Sequence, residues 1–341
     1  MLDWWFYLTS LPYFWFGLLA FAILMYVILD GFDLGLGILF PCFDCDTQRK
    51  VMVNSIAPFW DGNETWLVFG GVVLLAAFPT AYGLILSSQY LPIIVMLLAL
   101  VGRGCAIEYR GKADTSVAKW DRVFTYGSSI ATFCQGYILG QLVEAGQSLI
   151  WLKTLFSIGC GFALMAGYAL LGCCWLLIKQ RQSDMLQRAC QLGFKLTLLV
   201  LVFFGFVSGF SLLSNEKVWL LWTNWPLNLL IVPLPLVAVA IGVWLCLHFR
   251  FLERNIITNR ISLHALRLPF ILTVILFIVG FIGLWLGMAP TIVPNQLDIY
   301  QAIAPQNSLS FVSFGVLFLL PLILCYTLYG YRVFGNHTKN T

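Results

Sequence analysis

Long apolar stretches recur along this chain from Pro12 almost to Arg332, and only short polar segments separate them. A membrane-spanning helix needs roughly 20 mostly apolar residues, and each stretch is about that long. The stretches lack the ten-residue alternation of a transmembrane barrel, so the pattern predicts helices. The predicted spans are 12–39, 64–82, 84–103, 122–145, 150–178, 191–214, 227–249, 266–289 and 309–333.

Composition supports a membrane protein, since 60% of the 341 residues are hydrophobic and only 10% are charged. The N-terminus carries Asp3 instead of a basic segment, and the first apolar run is too long for a signal-peptide core, so we expect the first helix to be retained. No internal repeat or long linker divides the chain. We therefore predict a single polytopic membrane domain over residues 1–341.

The distribution of basic residues predicts the orientation. When the 19 Lys and Arg residues are assigned to the loops between predicted spans, 17 fall on one side and 2 on the other. The positive-inside rule places the basic side in the cytoplasm. The N-terminus is then periplasmic, the C-terminus cytoplasmic, and about nine transmembrane helices account for the alternation.

Few residues are suited to cofactor or metal chemistry. Cys42 and Cys45 form a C-x-x-C pair, but no second pair lies near enough in sequence to complete a metal site, and none is predicted. The three histidines, His248, His264 and His337, fall at or beyond cytoplasmic helix ends, which excludes a bis-histidine haem in the membrane core. A haem held by His248 or His264 with Met or Cys stays open, although arginine in the same loops favours solvated histidines. No catalytic residue and no nucleic-acid partner are predicted.

Acidic residues carry the main functional signal, because carboxylates in membrane helices are costly and usually mark ion or proton pathways. Asp30 and Asp33 lie near the cytoplasmic end of the first span, on one helix face. Asp61 and Glu64 repeat this spacing at the start of the second span, and Glu108 follows the third. We predict a cytoplasmic proton or cation pathway; the alternative is that Asp61 or Glu64 caps the second helix and that Glu108 pairs with arginine. No function is assigned to two acids near the outer ends of predicted spans, Glu144 and Asp298, or to four acids expected in solvated cytoplasmic segments, Asp114, Asp121, Asp184 and Glu253.

Three segments resemble the signature regions of subunit II of cytochrome bd-type ubiquinol oxidases, and a cyanide-insensitive oxidase type stays open. They are Asp-Gly-Phe-Asp-Leu-Gly at 30–35, Asn-Ser-Ile-Ala-Pro-Phe-Trp-Asp-Gly-Asn at 54–63, and Glu-Tyr-Arg at 108–110. The residues interpreted as signature or packing positions are Gly31, Gly35, Trp60, Gly62, Asn63, Trp66 and Arg110.

The resemblance implies an all-α integral membrane protein with two four-helix bundles and one peripheral helix. It implies a haem-bearing subunit I as partner, which carries haems b and d and the quinol-oxidising loop. This chain would bind no haem itself, would stabilise subunit I and would conduct cytoplasmic protons for the reduction of oxygen to water. The family positions linked to proton delivery correspond to Asp61 and Glu108, with Asp30 and Asp33 adjacent.

Two departures from the family pattern concern this route. Glu108 stands where relatives often carry Asp, which keeps a carboxylate, and Phe59 stands where some carry His, which removes a titratable neighbour. Further expected partners are membrane lipid, a structural quinone as in some members, and small single-helix accessory subunits. The expected location is the bacterial inner membrane.

Two other function classes compete with the oxidase subunit. A proton- or cation-coupled secondary transporter would also place acidic pairs near glycine-rich helix ends, although the chain has no evident inverted repeat. A purely structural assembly protein would need the acids for assembly but not for turnover.

Overall fold

The computed structural model describes residues 7–113, 115–143, 149–180, 182–226, 228–256, 261–294 and 296–334. Helices dominate it. In chain order they are α1 Pro12–Leu39, α2 Asp46–Ile56, α3 Trp60–Ala77, α4 Pro79–Ser88, α5 Tyr90–Arg110, α6 Val117–Val143, α7 Ile150–Lys179, α8 Ser183–Ser214, α9 Glu216–Thr223, α10 Asn228–Ile231, α11 Pro233–Ile256, α12 Leu263–Met288, α13 Ile299–Ala302 and α14 Gln306–Phe334, with a 3-10 turn at Phe40–Cys42.

Every predicted span overlaps one of these helices. Within the described part of the chain, seven helices are long and apolar enough to cross a membrane, or eight if the bent pair α3 and α4 forms one span. Helix α6 overlaps the predicted span 122–145 but is not among them. The helical membrane architecture is confirmed, whereas the count of nine spans stays a prediction. The span ends 145 and 227 lie outside the described residues, as do Asp3, Asp114, Glu144 and His337.

The predicted boundary between the second and third spans is wrong. Helix α3 ends at Ala77, and α4 starts at Pro79 with a bend of 120°. Proline has no N–H to continue the hydrogen-bond ladder and its ring clashes with the preceding turn, so it ends α3 and occupies the first position of α4. The third predicted span, 84–103, therefore begins at Tyr90 instead, and its helix continues to Arg110.

The chain folds as two compact units. Unit 1 comprises the described parts of Met1–Asp30, Pro58–Tyr90 and Met288–Thr341, and unit 2 comprises those of Gly31–Ala57 and Leu91–Gly287. In unit 1, α3 packs against α14. In unit 2, α6 packs against α7, α7 against α8, and α8 against α11. Helix α7 is central to unit 2, since 72% of its most apolar segment is buried.

A short antiparallel hairpin in unit 1 joins Thr291–Val293 to Leu297–Asp298, and the apolar pattern did not predict it. Asp298 lies just before α13 and caps its start, because its side chain accepts a hydrogen bond from the Gln301 N–H at 2.8 Å. This contact is a helix N-cap, so the residue has a structural task.

Glycines let α1 approach α7 closely within unit 2. A Cβ atom on Gly35 would overlap the carbonyl oxygen of Tyr168, and one on Gly31 would lie 2.9 Å from Cε1 of the same tyrosine. Residues 31–37 of α1 are all buried. Small residues at four-residue spacing allow this approach in membrane helices, and the geometry supports the packing roles predicted for Gly31 and Gly35.

We predict that Gly35→Ala destabilises the protein by about 1 to 3 kcal/mol, the usual penalty for overpacking a tight contact. The added methyl would meet backbone atoms of Tyr168, which cannot rotate away. Thermal unfolding in detergent measures the effect. Gly71→Ala is the matched control, because nothing lies within 4 Å of its added Cβ. Equal melting temperatures for the two variants would contradict the packing role.

The orientation prediction can be tested at Cys45, which is exposed between α1 and α2. The N–H groups of Gln48 and Thr47 at the start of α2 stabilise the thiolate and lower the pKa of Cys45 below its ordinary value. A lower pKa means more thiolate at neutral pH, so a charged maleimide should label Cys45 readily in inverted vesicles and not in intact spheroplasts. Cys45→Ser is the control, and labelling in spheroplasts would reverse the orientation.

Candidate functional site

The first turn of α3 carries two of the predicted acids, and we call residues 60–64 the acidic turn. Asp61 lies in the first helical turn and is exposed, whereas Glu64 is half-buried. Phe59 precedes the helix with non-helical dihedral angles, φ −120° and ψ −30°, and gives no side-chain cap. Acidic residues are common in the first turn of a helix, where the N–H groups have no partner within the helix.

Asn63 connects the acidic turn to two neighbouring helices of unit 1. Its side chain is only 1% exposed. The Nδ2 group donates to the carbonyl oxygen of Leu29 on α1 at 3.0 Å, and Oδ1 accepts a hydrogen bond from the Tyr331 hydroxyl on α14 at 2.9 Å. Leu29 immediately precedes Asp30, which is fully buried. The acidic turn therefore lies against the turn of α1 that presents Asp30.

Aromatic rings of α14 complete this contact. Phe59 stacks on Tyr331 with ring centroids 4.6 Å apart and planes inclined by 13°, and meets Phe334 edge-on at 6.3 Å. Gly62 admits the ring of Tyr326, since a Cβ there would lie 2.9 Å from its Cε1 atom. An aromatic ring at Phe59 and a missing side chain at Gly62 thus allow this turn to pack tightly against α14.

The two tryptophans in the first part of α3 differ in burial. Trp60 is half-buried, whereas Trp66 is fully buried. Trp66 makes edge-on contacts with Phe21 of α1 at 5.6 Å and with Phe69 at 6.0 Å. This ring therefore packs α3 against α1 one turn beyond Asn63.

In unit 2, two other signature segments meet at Trp175 of α7. Phe32 stacks on its ring at 4.2 Å, and Ser55 Oγ accepts a hydrogen bond from Trp175 Nε1 at 3.3 Å. Asp33, the neighbour of Phe32, is fully buried. Trp175 was not singled out from the sequence, because one tryptophan in an apolar helix has no distinguishing pattern.

Glu108 lies exposed near the end of α5. The arginine two residues later pairs with other acids: Arg110 Nε lies 2.6 Å from Asp121 Oδ1, and its Nη2 lies 2.7 Å from Asp46 Oδ1. Among the described residues Glu108 makes no ion pair within 4.0 Å. Its carboxylate is thus available for exchange with water.

Arg110 belongs to a charged cluster in unit 2 that the sequence did not reveal. Arg49 Nη1 also binds Asp121, at 3.2 Å, and both guanidinium groups lie over the ring of Phe40, 5.5 and 5.7 Å from its centroid. The side chains of Arg110 and Asp121 are only 5% and 9% exposed. The acids and bases neutralise each other, so this cluster is a structural clamp.

The prediction that Asp121 lies in a solvated segment is wrong. The predicted helix began at residue 122, whereas α6 begins at Val117 and carries Asp121 inside it. Asp121, Phe124, Ser128 and Ala131 are all buried and recur at helical spacing. This periodicity could have assigned Asp121 to the buried face.

We predict that Asp121→Asn destabilises the protein by about 3 to 5 kcal/mol, because it leaves the buried charge of Arg110 without its nearest partner. Asp46→Asn is the matched control. It removes the other partner of the same arginine, but Asp46 is 74% exposed, so the loss should be about 0 to 1 kcal/mol. Thermal unfolding of both variants in detergent gives the comparison. Similar losses would mean that burial does not decide the strength of these pairs.

The structure describes two of the three histidines, and the absence of haem from this chain stays a prediction. His248 is half-buried, and its Nε2 atom lies 2.8 Å from the carbonyl oxygen of Ala265 in a hydrogen bond. His264 is exposed. Within the described ranges, no group of three or more His, Cys, Asp or Glu side chains is arranged to hold a metal ion.

The predicted acids thus divide between the two units. Asp30, Asp61 and Glu64 belong to unit 1, and Asp33 and Glu108 belong to unit 2. Within unit 1, the Asn63 hydrogen bond brings the acidic turn to the helix turn of Asp30. A pathway that uses all five acids stays a prediction.

Comparisons with known proteins agree on one family. The family model described as cytochrome bd terminal oxidase subunit II matches residues 11–334. Cytochrome bd ubiquinol oxidase subunit 2 of Bacillus subtilis (strain 168) is 41% identical over 138 residues, which is 40% of this chain and 41% of that relative. Cytochrome bd-I ubiquinol oxidase subunit 2 of Escherichia coli (strain K12) is 26% identical over 376 aligned positions, 96% of each chain.

The fold is also similar to a solved structure. A chain in the structure of bd oxidase from Geobacillus thermodenitrificans matches with a TM-score of 0.72 at 15% identity, and the match covers 96% of this chain and 99% of that one. At this identity the likeness shows the fold alone. It agrees with the sequence matches over nearly the whole chain.

Proposed function

This chain belongs to the family of cytochrome bd terminal oxidase subunit II, and we propose that it conducts cytoplasmic protons to a haem-bearing subunit I and stabilises that subunit in the inner membrane. The complex would oxidise quinol and reduce oxygen to water, as the names of the relatives indicate. The family match does not favour the transporter alternative.

The arrangement of carboxylates in unit 1 carries the proposal. Asp61 is exposed, Glu64 is half-buried and Asp30 is fully buried, while Asn63 holds the acidic turn against the Leu29–Asp30 step of α1. Burial therefore increases from the surface acid to the acid on the membrane helix. A proton entering at Asp61 can pass inward through carboxyl groups and bound water.

The chemistry of the acids fits such a route. Asp30 is fully buried on a membrane helix, and carboxylates buried in such helices usually mark ion or proton pathways. Proton transfer between groups requires heavy-atom separations of about 2.6 to 3.2 Å, directly or through one water. Asp61 makes no ion pair among the described residues.

The redox chemistry is assigned to the partner. Haem would supply electron transfer and oxygen reduction there. What this chain's residues contribute is the supply of protons and the packing of the membrane helices. A structural quinone and small accessory subunits belong to the same proposal as further partners.

The proposal predicts that Asp61→Asn leaves the haem content of the purified complex normal and lowers quinol-dependent oxygen uptake per haem several-fold. A carboxamide keeps the size of the side chain but cannot accept and release the proton. Asp30→Asn should have the same effect. Reduced-minus-oxidised spectra give the haem content, and an oxygen electrode gives the turnover.

Asp44→Asn is the control, since this acid is 83% exposed and pairs at 3.6 Å with Arg188, outside the proposed route. Its turnover should match that of the unmodified complex. If activity falls only in proportion to haem in Asp61→Asn and Asp30→Asn, the acids serve assembly, and proton conduction is refuted.

A further inference from the structure

We propose that Tyr331 of α14 is a positioning residue for proton delivery, because its hydroxyl fixes the orientation of Asn63 and thereby of the acidic turn. This inference rests on the proposed function, because it takes the acids beside Asn63 to conduct protons. The residues that carry it all belong to unit 1.

The hydrogen bonds leave one orientation for the Asn63 amide. A backbone carbonyl only accepts, so the NH₂ end must face Leu29, at 3.0 Å. The carbonyl end then faces Tyr331, whose hydroxyl donates to it at 2.9 Å. Reversing the amide would bring two acceptors together at Leu29, so the Leu29 carbonyl selects this orientation. The Tyr331 hydroxyl then holds the other end of the amide, and the two hydrogen bonds together fix the Asn63 side chain between α1 and α14.

The hydrogen bond between Tyr331 and Asn63 also affects where the acids lie, because Asn63 is next to them on α3. Asn63 immediately precedes Glu64 and lies two residues after Asp61, and successive residues on a helix are 100° apart around its axis. Any rotation of this turn moves both carboxyl groups. A hydrogen-bonded relay tolerates displacements of only a few tenths of an ångström, so the rotation of the turn determines whether Glu64 faces the proton path.

The hydroxyl of Tyr331 can be separated from its ring. The ring stacks on Phe59 at 4.6 Å and contributes packing at the entry to α3. The hydroxyl alone reaches Asn63, which is buried away from solvent. Tyr331→Phe keeps the stack and removes only the donor, so a packing role and a positioning role predict different results.

The test uses the whole oxidase complex purified with Tyr331→Phe. Haem content should stay normal, oxygen uptake per haem should fall by about two- to tenfold, the range of one net hydrogen bond, and the solvent isotope effect on turnover should rise as proton transfer becomes limiting. Tyr329→Phe is the matched control, because Tyr329 lies on the same helix and is 67% exposed. It should leave the rate and the isotope effect unchanged.

A double-mutant cycle tests whether Tyr331 acts through Asn63. Asn63→Ala and the double variant Tyr331→Phe with Asn63→Ala should turn over at the same rate, because the hydroxyl has no amide to orient once Asn63 is gone. Additive losses would overturn this mechanism. Tyr331→Phe by itself still decides the proposal if Asn63→Ala fails to assemble.

The remaining outcomes separate this inference from the proposed function. Normal turnover in Tyr331→Phe beside slow turnover in Asp61→Asn would overturn the positioning role and leave proton conduction standing. Normal turnover in Tyr331→Phe, Asp61→Asn and Asp30→Asn would refute both. If Tyr331→Phe loses haem in proportion to activity, the role of Tyr331 is structural, and the positioning role is overturned.

Discussion

Lipid offers no hydrogen-bond partner, so each polar side chain buried in a membrane protein depends on groups that the protein itself supplies. Asn63 meets this constraint by bonding a helix carbonyl with one end of its amide and a tyrosine hydroxyl with the other. Arg110 meets it with two carboxylates and the face of Phe40. The helices that provide these partners are thereby fixed in place, and so are the acids beside them.

Two kinds of acid follow from this constraint. Asp121 is held between two arginines, at 3.2 Å from Arg49 and 2.6 Å from Arg110. Asp61 and Glu108 make no ion pair in the described part of the chain, although arginines lie near Glu108 in the sequence. A relay needs groups that change protonation, whereas a clamp needs groups that do not. The division between the two kinds thus separates candidates for proton conduction from residues that stabilise the fold.

The sequence predicts the positions of the helices better than the contacts between their side chains. The first span was placed at 12–39, and α1 is Pro12–Leu39, because its apolar run is long and ends at Pro41. Pro79 falls inside the predicted second span, 64–82, because the apolar residues on both sides of it continue the hydropathy pattern and conceal the bend. Asp121 was misassigned because an error of a few residues at a helix start moves a side chain from solvent to the interior. Tyr331 gave no signal, since a tyrosine near a membrane interface is usually an anchor.

The two proposed tasks, stabilising a partner and conducting protons, are compatible because different residues of this chain would serve them. The tight contacts of Gly31 and Gly35 against Tyr168 contain no titratable group that must change its charge, so they can remain rigid throughout turnover. The carboxyl groups of the acidic turn must exchange protons, yet the turn that carries them is clamped by a stacked ring and a buried amide. Rigid support for a titratable group keeps its proton-transfer distances constant.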